Sequence, residues 1–363
     1  MSLLNALPGA IAQGLIWGLM AIGLYITYKI LDFADLTVDG SICTGAVVCA
    51  VLIAAGVNAW AAIIVAFLAG VACGMITGLF HTAMGIPPIL SGILTQLMLW
   101  SINLKILGKA NMPISARTNY VILTQLSVGM AILAAVGFVI VSIGVLYGFF
   151  GTEKGCAIRA TGSNENMARA QGINVKVNKV IALAISNGFV ALSGALLAQY
   201  QGFADINMGR GAIVIGLAAI IIGEAIVSKI SSNFIVKLLG CALGGVIYYI
   251  VYQFVIWLGI DTDLLKMLSA IVVAIFLALP YWRKQIFNKT GKGKGDLKSN
   301  PFADALQKVT DKIKGTFVKG GKPQEATESV TAESTVTETT EEETVVPTLD
   351  EIEESTEKEE EDA

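Results

Sequence analysis

Apolar residues run through this chain in stretches of about twenty, long enough for a helix to cross a hydrocarbon core of about 30 Å. The stretches fall at residues 11–30, 41–57, 59–80, 89–107, 127–149, 180–200, 212–227, 234–258 and 264–281. None shows the two-residue alternation of a barrel strand, and a helix satisfies its own backbone polar groups inside lipid. The pattern therefore predicts an all-α fold, a polytopic transmembrane helix bundle of about nine spans, one either way. The junction at Val57–Asn58 is tight enough for a broken helix, and 212–227 is short enough to be partly re-entrant. Pro87 and Pro88 must break a helix or begin one, because neither ring supplies an N–H.

One polar interruption differs from the other turns. Residues 153–179 carry Lys154, Arg159, Arg169, Lys176 and Lys179 against only Glu153 and Glu165. A cation-rich loop between spans marks the cytoplasmic side. Setting it inside puts Lys29, Lys229, Lys237 and the run from Arg283 inside as well. The 108–125 loop and the acidic turn 259–263 then lie outside, and nine spans imply an external N-terminus. Within the loop, Ser163 or Asn164 can cap a helix of about two turns, Glu165–Gln171, which Gly172 terminates. Such a short exposed helix suits docking onto another protein better than chemistry.

Composition agrees. Hydrophobic residues make up 55% of the 363-residue chain, well above the usage of soluble domains. The net charge of −3 conceals an asymmetry: residues 323–363 hold 16 of the 28 acids and one base, Lys358. The chain divides on this reading into a membrane domain, 1–282, a basic juxtamembrane segment, 283–322, and an acidic Thr/Glu-rich tail, 323–363. The tail has too little apolar surface to order itself. The basic residues flank spans, so no nucleic-acid partner follows. The five cysteines show neither metal spacing nor a disulfide framework. The N-terminus lacks a basic leader and reads as a retained span.

The loop residues Gly155, Arg159, Ala160, Gly162, Asn164, Glu165, Ala168, Arg169, Gly172, Ile173 and Asn174 occur in the order of a known motif. They resemble the coupling loop of ABC importer permeases of the branched-chain amino acid/ribose type. HTAMGIPPILSGILT (81–95) and AAIIIGEAI (218–226) resemble two further family segments, with Glu224 in place of a glycine. The resemblance covers roughly residues 10–282 and is nearest to the tryptophan/tyrosine importer branch. It implies ATPase coupling through Gly155, Arg159, Gly162, Asn164, Glu165, Ala168, Arg169 and Gly172. It also implies separate ATP-binding subunits, an extracellular substrate-binding protein and a second permease copy in a plasma-membrane assembly. ATP and Mg²⁺ would sit on the ATPase partner, leaving this chain without a cofactor and without catalysis of its own; it has no Walker A motif. Sugar and nucleoside carriers share the fold, so the solute class stays open, with an amino acid favoured.

Polar residues inside spans are the candidates for a solute path. The half-helix after Pro87 and Pro88 presents free N–H groups, with Ser91, Thr95, Gln96, Trp100 and Asn103 along it and Asn187 on another span. Trp100 also suits an interfacial anchor, and His81 an interfacial position. Asp32, Asp35 and Asp39 have a spacing that would place them on one helical face at the inner mouth; no metal site follows. No acid is expected at mid-membrane, which argues against the alternative of a secondary transporter working alone. Glu224 is expected to pair with Lys229.

Overall fold

The computed structural model describes residues 3–114, 121–227 and 233–257, with isolated positions between 267 and 278. The expected ninth span falls largely outside these residues, and the basic segment and the acidic tail lie wholly outside them. Eight of the expected spans coincide with helices. These are α1 (Leu3–Tyr25), α2 (Val38–Ala54), α3 (Ala59–Thr82), α4 (Pro88–Leu107), α5 (Val128–Phe150), α8 (Val175–Gln201), α9 (Ala212–Val227) and α10 (Phe234–Trp257). Six reach membrane-spanning length with the necessary hydropathy, while α2 and α9 are apolar but shorter. Two further helices, α6 (Glu153–Ser163) and α7 (Glu165–Ala170), occupy the polar loop. A two-stranded antiparallel sheet, β1 (Asn111–Pro113) with β2 (Phe203–Asp205), closes the opposite end of the bundle.

The centre of the bundle is α8. From Ala182 to Tyr200 every residue but Ile185 is buried, and α1, α2 and α3 pack around it. Small residues permit this. A side chain at Gly45 would overlap the Ala191 carbonyl, and one at Gly70 would overlap the Asn187 carbonyl, so the backbones approach as closely as small-residue seams allow. By contrast α3 and α5 turn Ile64, Leu133, Ile140 and Val141 outward. An exposed apolar girdle of this kind fits a lipid surface.

Chain breaks follow local chemistry. α1 leaves the α-helical path through one wide turn, Ile26–Ile30, where Leu31 N–H donates to the Ile26 carbonyl at 3.0 Å. Wide turns of this type occur where an intruding group disturbs the ladder. Here Ser186 Oγ donates to the Gly23 carbonyl at 2.8 Å. The chain then reverses through Asp32 in the left-handed region, φ 55°, which Asp tolerates better than most residues. Residues 32–35 are not helical, so Asp32, Asp35 and Asp39 do not share a helical face as their spacing predicts. The Val57–Asn58 junction is a turn, not an interrupted span: the Asn58 side chain accepts from Trp60 N–H at 3.0 Å and caps α3. Pro87 and Pro88 start α4, with Pro88 at its first position.

Candidate functional site

The loop-bearing end is built by caps. Thr152 caps α6, accepting from Gly155 N–H at 3.4 Å. Asn164 ends α6 by donating its N–H to the Ala160 carbonyl, 3.0 Å, and starts α7 by accepting from Met167 N–H, also 3.0 Å. One residue thus punctuates both helices. Gly172, at φ 78°, turns the chain away, and Asn174 caps α8 through Val177 N–H at 3.2 Å. The motif residues of the loop therefore form two helices, not the single one expected. α6 was not legible because Gly155 and Gly162 dilute its helical pattern. Both glycines lie at contacts: Gly155 against the backbone of Phe150, and Gly162 against the carbonyl of Ile30 at the end of the wide turn.

The charged residues of the loop divide into two roles. Arg159 lies over the rings of Phe150, 5.4 Å from the centroid, and Phe234, 4.7 Å. It joins α6 to the start of α10 while remaining exposed. Arg169 is exposed, as is Met167, while Ala168 is buried. Glu165 accepts from Arg169 within α7 and from Lys179 of α8 at 2.9 Å. The Lys179 hydrogen bond holds the Glu165 carboxyl below its usual range, with a smaller contribution from Arg169. Lys179 also lies 3.3 Å from His81 Nε2, whose Nδ1 is 2.8 Å from the Ile86 carbonyl. Nearby, Lys29 pairs with Glu224 at 2.9 Å. Glu224 thus finds a partner on the wide turn; Lys229, the partner expected, lies outside the described residues.

A second cluster is buried in the bundle. Asp35 accepts from Thr37 N–H at 2.9 Å and from Asn187 Nδ2 at 2.7 Å. Asn187 Oδ1 accepts from Ser41 Oγ at 2.6 Å. Thr37 and Thr77 hydroxyls are 2.7 Å apart, and Thr77 Oγ1 donates to Thr95 Oγ1 at 3.0 Å. All six side chains are at most 1% exposed. Asn187 stands twelve residues along α8 from its start, roughly 18 Å at helical rise. An acid therefore does lie deep within the bundle, against expectation. The seven-residue break between helices, 31–37, looks in sequence like a solvated turn, and only the tertiary fold draws it inward. Asp39 accepts from Gly211 N–H at 3.0 Å and Ile213 N–H at 2.9 Å. It caps α9 from another element, satisfying the donors that a helix start leaves open.

The expected path residues separate by orientation. Ser91, Thr95, Asn103 and Asn187 face the interior of this chain. Gln96 is half-buried, Pro88 likewise, and Pro87 and Trp100 are exposed. The structure brings Thr95 and Asn187 into one buried cluster but does not bring all eight residues around a common cavity. Gln199 is occupied structurally: its Oε1 accepts from Ile122 N–H at 2.9 Å. His81, expected only as an interfacial residue, joins three elements. Four cysteines are buried and Cys156 is exposed. Among the described residues no group of acids, histidines and cysteines could hold a metal ion.

An apolar bundle carrying short, capped helices at one end defines a class of membrane-embedded, polytopic proteins. Residues 7–277 match the family model described as branched-chain amino acid transport system / permease component, and the chain belongs to that family. It is similar to a tyrosine transport system permease protein of Clostridioides difficile (strain R20291), 39% identical over 275 residues, 76% of this chain and 91% of that one. It is also similar to an uncharacterised protein of Rickettsia prowazekii (strain Madrid E), 34% identical over 278 residues, 76% and 98% of the two chains. A fructose import permease protein of Bifidobacterium longum (strain NCC 2705) is 26% identical over 228 residues, 62% of this chain and 63% of that one. No solved structure matches.

Proposed function

We propose that this chain is the membrane-spanning subunit of an ABC importer for an amino acid, with an aromatic one favoured. The observation that carries this reading is α7, a two-ended helix outside the apolar bundle with Met167 and Arg169 exposed and Glu165 tied back to α8. Such a helix can receive force from a partner and pass it inward, and catalysis at the solute is not required. Two ATP-binding subunits, carrying ATP and Mg²⁺, would grip α7 from the cytoplasm. Two permease copies would pair, and an extracellular binding protein would deliver the solute. The similarity to a tyrosine permease supports an aromatic amino acid over a sugar.

The outward face of α4, with Pro87, Gln96 and Trp100, would line the path between copies. Ser91, Thr95, Asn103 and Asn187 would hold that helix in place from within. Closure of the ATPase subunits would then move α6 and α7 and rock the bundle between two states.

The buried Asp35 favours a second reading, a transporter coupled to a proton or cation and working alone. One experiment separates the two. The chain is reconstituted in vesicles with its cognate ATPase and binding protein, and uptake is followed with and without ATP. The pair Met167→Asp and Arg169→Glu, both on the exposed face of α7, is expected to abolish ATP-driven uptake while insertion is retained. Unchanged uptake, or uptake by the permease without the ATPase, would refute the importer reading.

A further inference from the structure

The side chains of α7 meet a chain of contacts that leaves the loop and enters the bundle. Glu165 Oε2 accepts from Lys179 Nζ at 2.9 Å, and Lys179 Nζ is 3.3 Å from His81 Nε2. His81 Nδ1 is 2.8 Å from the Ile86 carbonyl in the turn before Pro87. A carbonyl only accepts, so Nδ1 carries the hydrogen; in the neutral ring Nε2 then has the lone pair that takes a Lys179 proton. The ring of His81 also meets Phe33 edge-on, with centroids 5.1 Å apart and planes at 74°. Phe33 lies in the α1–α2 break, two residues before the buried Asp35.

We propose that Lys179 and His81 form a transmission link that couples the position of α7 to two interrupted elements, the α3–α4 turn at Ile86–Pro88 and the α1–α2 break. Each is a positioning residue. Every group in the link has one role: Glu165 accepts, Lys179 donates twice, and His81 accepts at one nitrogen and donates at the other. Pulling Glu165 away leaves Lys179 with only the imidazole, and shifting His81 changes what holds the Ile86 carbonyl. Both breaks lie outside the regular helical ladder, so they are where such a displacement can be absorbed. The link deepens the importer reading, which supplies only the source of the movement.

The test uses the fact that His81 is the only histidine in the chain. Full-length protein with a histidine-free tag, ¹⁵N-labelled at histidine and held in nanodiscs, gives a single imidazole to observe. The expected spectrum is that of the Nδ1–H tautomer. Glu165→Gln is expected to shift the Nε2 resonance although Glu165 does not touch the ring. In a Lys179→Met background that response should vanish, and Lys179→Arg should retain it. An Nε2–H tautomer, or an Nε2 resonance indifferent to Glu165→Gln, would overturn the link. In vesicles with the cognate ATPase, Lys179→Met is expected to keep ATPase binding while uptake per ATP falls by about tenfold, the scale of one charge-assisted hydrogen bond. Undiminished uptake per ATP would overturn transmission. If the wild type binds no ATPase at all, the importer reading fails, while the spectroscopic result still decides the link.

Discussion

Arg159 shows how a motif residue can serve architecture. Its guanidinium over Phe150 and Phe234 gains electrostatic attraction to two rings, a contact worth about 0.5–1 kcal/mol at an exposed site. Arg159→Ala should lower the thermal stability of the purified bundle by that scale, and Arg159→Lys by less, because a lysine keeps the charge and loses only the planar stacking. A differential scanning measurement in detergent checks both. Glu165 has the opposite character, since its value lies in its charge. Its carboxyl titrates below the ordinary range of about 4.3, held down chiefly by Lys179. The pair therefore contributes fully above that range and is lost as pH falls through the lowered value. Hydrogen-exchange protection of α7, taken relative to the intrinsic rate at each pH, should fall at acid pH, and Glu165→Gln should show the lowered protection already at neutral pH. No such difference between wild type and Glu165→Gln at neutral pH would refute the assignment.

At the scale of elements, hydrophobic length made eight helices legible, because a twenty-residue apolar run has few alternatives to crossing lipid. What stayed hidden depends on contacts between distant segments. α6 exists because Gly155 and Gly162 let it dock, a fact that no local propensity encodes. Asp35 was visible as an acid, but its burial follows from Ser41, Asn187 and Thr77 converging from three helices. The small residues of α8 form a packing seam, and the seam makes a sharp prediction. Gly70→Val would push a branched side chain into the Asn187 carbonyl and Ala191. Overpacking of this kind costs on the order of 1–3 kcal/mol or more. The expected result is poor yield of folded protein, whereas Gly137→Val, on the open face of α5, should be tolerated. Equal yields of the two variants would contradict the packing described for α3 and α8.

Across the whole molecule, the charge pattern and the helix order make the α6–α7 end the cytoplasmic one on our proposal. The cysteines offer a direct check, since all five fall among the described residues and only Cys156 is exposed. An impermeant maleimide should leave intact cells unlabelled and should modify Cys156 once the membrane is opened. Labelling of intact cells would reverse the orientation and remove the ATPase from reach.

The Asp39 carboxylate at the start of α9 has a consequence for movement. A helix whose opening amides donate to a residue of α2 cannot tilt independently of that acceptor without leaving bare N–H groups unpaired. α2 and α9 must therefore travel as one rigid plank. Whatever swing the bundle undergoes has its pivots in the connections on either side of that plank, and Asp39→Ala should let the two halves drift apart.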